Sequence, residues 1–96
     1  MELERVIQIL KQNKRDLHRA GVKSLAIFGS TVRNEATGES DIDLLVEFDG
    51  PATFDGYMET KFLIEDILGR RVDLVTRQAL RPGMLQRVES EAVHVA

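Results

Sequence analysis

The sequence predicts an α/β chain, in the α+β sense of a small mixed sheet with helices packed mainly on one face. Two amphipathic stretches at helical spacing and three short stretches at strand spacing, separated by glycine and proline breaks, carry that prediction. The predicted order is helix, strand, strand, helix, strand, helix, with no internal repeat, low-complexity tract or linker. At 96 residues the chain is expected to form one domain over residues 1–96. Such a domain buries only about 60–65% of the surface its unfolded chain exposes, so its core is thin.

The first helix is predicted over Leu3 to Leu17, where Leu3, Val6, Ile7, Leu10 and Leu17 share a face. His18 and Arg19 supply the basic last turn, and Gly21 the stop. Val22 to Phe28 reads as a short buried strand that ends abruptly at Gly29-Ser30. Thr31 to Glu35 suits a short helical turn capped by Ser30, followed by a polar loop over Ala36 to Ser40 that contains Gly38. In Asp41 to Phe48 strict alternation puts Ile42, Leu44, Val46 and Phe48 on one face and Asp41, Asp43, Leu45 and Glu47 on the other. Phe54 to Leu68, carrying Phe54, Tyr57, Met58, Lys61, Phe62, Ile64, Glu65 and Leu68, is the second amphipathic helix, and Gly69 ends it. Arg70 to Thr76 is the third strand, with Val72 and Leu74 bracketing Asp73. After Pro82-Gly83 a short helix is expected over Met84 to Glu89, with Ala92 to Val95 extended. Met84, Leu85, Val88, Val93 and Val95 either close the core, the commoner fate, or form a partner surface.

Composition narrows the function. With 43% apolar and 30% charged residues, and no apolar run long enough to cross a bilayer, a soluble protein without membrane association is expected. No basic and apolar leader opens the chain, so a cytoplasmic location is expected. The absence of cysteine excludes disulfides, thiolate nucleophiles and sulfur-ligated zinc. A net charge of −3 argues against strong nonspecific nucleic-acid binding. Arg70, Arg71, Arg77, Arg81 and Arg87 are interleaved with Glu65, Asp66, Glu89 and Glu91, which favours a solvated mixed-charge face. His18 and His94 stand at opposite ends of the chain and read as helix-end or surface residues.

The chemistry resides in aspartates. Asp41 and Asp43 project from one face of a strand, roughly 6 to 7 Å apart. Two carboxylates so placed repel, which suggests a metal, a proton-sharing dyad or solvent exposure. Magnesium suits such a pair, because it takes hard oxygen ligands and completes its shell with water and substrate phosphates. A second ion about 3.5 to 4 Å from the first needs another carboxylate, and Asp73 should emerge on the same face. Aspartate is depleted in strands, so three in one small sheet favour a metal site over strand-edge decoration. Gly29-Ser30 adds a sharp turn whose first amides point at an anion, a seat for phosphate. Ser30 caps that turn, donates to a phosphate oxygen, or does both; Arg33, one turn on, can reach the same phosphates or remain simply exposed. A nucleophile elbow, a Walker lysine and a dinucleotide glycine triplet are all absent.

Phe28-Gly29-Ser30-Thr31-Val32-Arg33, then Ser40-Asp41-Ile42-Asp43-Leu44-Leu45-Val46, then Gly69-Arg70-Arg71-Val72-Asp73-Leu74-Val75-Thr76 together resemble the nucleotidyltransferase superfamily related to DNA polymerase beta. Within it the chain looks like the minimal nucleotidyltransferases, small prokaryotic proteins commonly paired as antitoxins with a HEPN-domain toxin. The resemblance runs from the strand before Gly29 to about Glu91 and implies the nucleotidyltransferase fold. It further implies that Gly29 and Ser30 hold a triphosphate, that Asp41 and Asp43 bind two Mg2+ ions, and that Asp73 completes the second metal site and helps activate the attacking hydroxyl. The implied reaction is adenylylation, from ATP, of a tyrosine on the HEPN ribonuclease, which silences it. Asn34 departs from the glycine that many relatives carry after the arginine; asparagine tolerates positive φ better than most residues. Two other readings compete: an antitoxin that inhibits by binding alone, and nucleotide transfer to a small molecule, whose enzymes usually carry an added helical domain.

Overall fold

The computed structural model describes residues 2–33, 35 and 40–96, and Asn34 and most of the predicted loop around Gly38 lie outside the described residues. Along the chain come α1 (Leu3–Gln12), α2 (Lys14–Arg19), β1 (Val22–Phe28), a 3-10 turn (Gly29–Thr31), β2 (Ile42–Phe48), α3 (Phe54–Leu68), β3 (Val72–Thr76), a second 3-10 turn (Arg77–Ala79), α4 (Pro82–Glu91) and β4 (Val93–His94).

The predicted first helix is two helices. At Asn13 the backbone leaves helical geometry (φ −107°, ψ 18°) while the side-chain amide donates to the Ile9 carbonyl at 2.8 Å. Asparagine offers the backbone a local alternative to the helical ladder, and the chain takes it. Val6, Leu10 and Leu17 nonetheless bury against one core, so the apolar periodicity survives the break. The second helix begins where predicted, with the Thr53 hydroxyl accepting from the Gly56 amide at 3.0 Å, and ends at Gly69 in the left-handed conformation. Its buried face differs from the predicted one. Thr60, Ile64 and Leu68 turn inward, whereas Phe54 is 78% and Phe62 58% exposed.

The four strands form one mixed sheet in the order β3-β2-β1-β4. β2 and β3 run parallel, with α3 as the crossover such a pair needs, and β1 is antiparallel to both β2 and β4. α3 pins the edge strand β3 twice: the Tyr57 hydroxyl donates to the Leu74 carbonyl at 2.6 Å, and the Glu65 carboxylate accepts from the Val72 amide at 3.0 Å. Alternation then decides the two faces. Leu25 and Ile27, Ile42, Leu44 and Val46, and Val72 and Leu74 share the main core with Val6, Leu10, Leu17, Ile64, Leu68 and Val95. The other face is not bare, because Ala26 and Leu45 are also buried yet lie outside that core.

α4 accounts for that second cover. It packs along β1, and its Met84 and Val88 share a depression with Asp43. It is longer than predicted, has Pro82 at its first turn, and contains no buried residue. The predicted core role of the C-terminal apolar residues therefore divides. Val95 is in the core, while Met84 is 54% exposed and Leu85 and Val88 are half-buried. The extended C-terminal segment is β4, paired with β1.

Candidate active site

Strand directions gather the acidic residues. Because β1 is antiparallel to β2, its last residue, Phe28, pairs with Asp43 near the start of β2. Because β3 is parallel to β2, Asp73 stands beside Asp43 in register. The turn at Gly29 and both aspartates thus meet at one end of the sheet, on the face away from the main core. Gly29 is required there, with φ +76°, and a Cβ at this position would fall on the Asp43 carboxylate, with Asp43 Cγ only 3.0 Å away.

Asp43 is half-buried, and its pKa is raised above the ordinary carboxylate value. Desolvation is the largest cause; the Asp73 and Asp41 charges add to it, Arg33 opposes it, and Asp73 accommodates a hydrogen bond that favours the protonated form. Asp41 precedes β2 and is more exposed, with Arg71 Nε 3.8 Å from its Oδ1. The structure therefore brings Asp43 and Asp73 together, with Asp41 near enough to be felt electrostatically but drawn toward Arg71. Among the described residues no three acidic or imidazole side chains converge on one point as they stand.

The turn differs from the prediction. The helical geometry begins at Gly29, two residues before Thr31, so Ser30 lies inside the turn and Phe28 holds the cap position, without a side-chain capping bond. The Val32 and Arg33 amides donate to the Gly29 carbonyl at 3.1 and 3.2 Å, and the Glu35 amide to the Ser30 carbonyl at 2.9 Å. The Gly29 amide, expected to face an anion, donates to Glu91 Oε1 at 3.0 Å. Arg33 is turned to the same carboxylate, with Nη1 3.1 Å from Oε1 and 3.4 Å from Oε2, and its Nε bonds Glu35 at 3.2 Å.

Glu91 is the site residue that sequence reasoning missed, having read it as a neighbour of solvated arginines. The register explains its position. Ile27 pairs with Val93 and Ala26 with His94, so the same antiparallel count brings Glu91 opposite Gly29. The sequence carried no signal for it, because the predicted helix stopped at Glu89 and only the structure extends α4 to Glu91. Around these residues lies a depression of about 470 Å3, lined by Phe28, Gly29, Arg33, Asp43 and the α4 residues Met84, Arg87, Val88, Ser90 and Glu91. A larger depression, about 860 Å3, lies at the other end of β2 and β3, beside Lys23, Glu47 and Arg77, and contains none of the aspartates.

Comparison with known proteins shows the family. The family described as nucleotidyltransferase domain matches residues 3–95. The chain is 38% identical, over 96 residues covering 99% of it and 97% of the relative, to the protein adenylyltransferase MntA of Thermococcus cleftensis. A solved minimal nucleotidyltransferase superposes with a TM-score of 0.85 at 34% identity, covering 97% of this chain and 95% of that one. At 18% identity, the tri-AMPylated HEPN toxin and MNT antitoxin complex of Shewanella oneidensis shares the fold, with a TM-score of 0.67 over 94% of this chain and 71% of that one. A matched family over almost the whole length, relatives above 30% identity, and the same sheet place the chain in the nucleotidyltransferase-domain family.

Proposed function

We propose that the chain is a Mg2+-dependent adenylyltransferase that uses ATP to modify, and so neutralise, a partner HEPN ribonuclease toxin. The observation that carries this reading is the registered Asp43–Asp73 pair, with Asp41 two residues away, beside a positive-φ glycine turn. The protein adenylyltransferase MntA relative and the AMPylated toxin in the Shewanella complex support the substrate and partner.

The donor set fits magnesium. The Asp43 pKa is raised by its own burial and by two neighbouring carboxylates, a penalty that a divalent cation would remove. Asp41, Asp43 and Asp73 would hold the ions, Asp41 leaving Arg71 to do so. Bound there, Mg2+ lowers the pKa of the acceptor hydroxyl and neutralises charge on the leaving pyrophosphate. The chain's own residues bind and orient. The Gly29 turn and Ser30 seat the triphosphate, Arg33 supplies its charge, and Asp73 holds the attacking hydroxyl. The acceptor oxygen forms a bond to the α-phosphorus in line with the departing bridging oxygen, its proton passes to carboxylate or water, and pyrophosphate leaves. The face carrying the aspartates is covered by one loosely packed helix, so the acceptor must come largely from the partner.

Incubation with α-labelled ATP, Mg2+ and a HEPN-domain toxin from the same organism tests the reading. Label should appear on a toxin tyrosine with the wild type and be lost with Asp43→Ala. An Asp43→Ala chain that still neutralises the toxin would show that inhibition is by binding alone.

A further inference from the structure

The phosphate seat is filled by the chain itself. The Glu91 carboxylate takes the Gly29 amide and the Arg33 guanidinium, the donors that the proposed function assigns to the triphosphate. Both are groups that recognise oxyanions without regard to whether carbon or phosphorus bears them. We propose that Glu91 is a built-in competitor of the nucleotide, occupying the triphosphate seat in the free chain and yielding it when the nucleotide enters. This rests on the nucleotide-binding reading of the Gly29 turn.

Four observations support exchange over a permanent brace. Glu91 ends α4, where the helix carries partial negative charge, so its carboxylate is held against its own helix by Gly29 and Arg33. The Glu91 side chain is 33% exposed, so it can turn out to solvent without displacing α4. Arg33 keeps a second carboxylate, Glu35, at 3.2 Å, and is not left unpaired during the exchange. The depression beside Glu91 runs past Gly29 to Asp43, which gives an incoming phosphate a route from the seat to the carboxylates.

Isothermal titration calorimetry of the full chain with Mg2+ and a nonhydrolysable ATP analogue tests this. Glu91→Gln, which retains the shape and an acceptor for Gly29 but loses the charge, should tighten binding about threefold to tenfold, the net scale of one hydrogen bond. Glu91→Ala should tighten it at least as much. Glu89→Gln is the control: it removes the same charge from the same turn, but Glu89 is paired with Arg77 instead of Gly29. It should leave the affinity within about twofold, since the Glu89 carboxylate is held by Arg77 and makes no contact with the Gly29 amide or Arg33. Unchanged or weaker binding by both Glu91 variants overturns the competitor role while leaving the nucleotide site standing. Equal tightening by Glu89→Gln also overturns it, by reducing the effect to overall charge. No binding by the wild type or any variant overturns the nucleotide reading and this inference together.

Discussion

At the scale of single residues, Asp43 concentrates the conflict between stability and chemistry. Its carboxylate is partly desolvated and sits beside Asp73 and Asp41, so its pKa is raised in the folded chain. A carboxyl whose folded pKa exceeds its unfolded value favours folding when protonated, below the unfolded pKa, and loses that contribution as pH rises through the folded pKa. Without divalent cations Asp43 therefore opposes the fold at neutral pH. Asp43→Asn should raise the melting temperature by a few degrees in EDTA at pH 7, with the gain shrinking toward pH 3, while transfer activity is abolished. Thermal scans across pH with and without the substitution check the sign; a fall in melting temperature at pH 7 would refute it. Gly29 makes the opposite case, since geometry allows no side chain there. Gly29→Ala combines a disfavoured positive φ with overlap on Asp43. It should cost about 1–3 kcal/mol in urea unfolding and abolish transfer.

At the scale of elements, what was legible in the sequence depended on whether local pattern or tertiary partner decides the outcome. β2 was legible because Ile42, Leu44 and Val46 alternate strictly, and that alternation alone put Asp43 on the opposite face. The end of α3 was legible because Gly69 adopts the left-handed conformation that stops a helix. The break at Asn13 was not, since an apolar stripe continued through it to Leu17. The inward face of α3 was misjudged because Phe54 and Phe62 are more hydrophobic than Thr60, yet Thr60 is fully buried. Glu91 escaped because its partner, the Gly29 amide, lies 62 residues away in sequence. Thr60 carries a prediction of its own. Its hydroxyl has no hydrogen-bond partner in a fully buried position. Thr60→Val keeps the shape and removes the unpaired group, so it should stabilise the chain by about 1 kcal/mol, read from the urea midpoint at unchanged slope. Destabilisation would mean that the hydroxyl finds a partner after all.

At the scale of the whole molecule, the sheet separates two jobs. One face carries the apolar core with α1, α2 and α3, and the other presents the carboxylates under α4. Two arginines of the C-terminal half are matched on this second side: Arg71 by Asp41, and Arg77 by Glu47 and Glu89. Excess negative charge is thus left at the Asp43–Asp73 end, where it raises the energy of the metal-free chain and favours cation binding. Magnesium should therefore act as a folding ligand as well as a reaction component. By mass action an ion at roughly ten times its dissociation constant adds about 1.4 kcal/mol, because only the folded chain assembles the site. For a chain of this length that corresponds to a rise of about 5–10 °C in melting temperature. Asp43→Asn, already relieved of one charge, should lose most of that rise, whereas Glu47→Gln, an acidic change at the far end of the same strand, should keep it. A magnesium response of equal size in all three proteins would place the cation somewhere other than the Asp43–Asp73 pair.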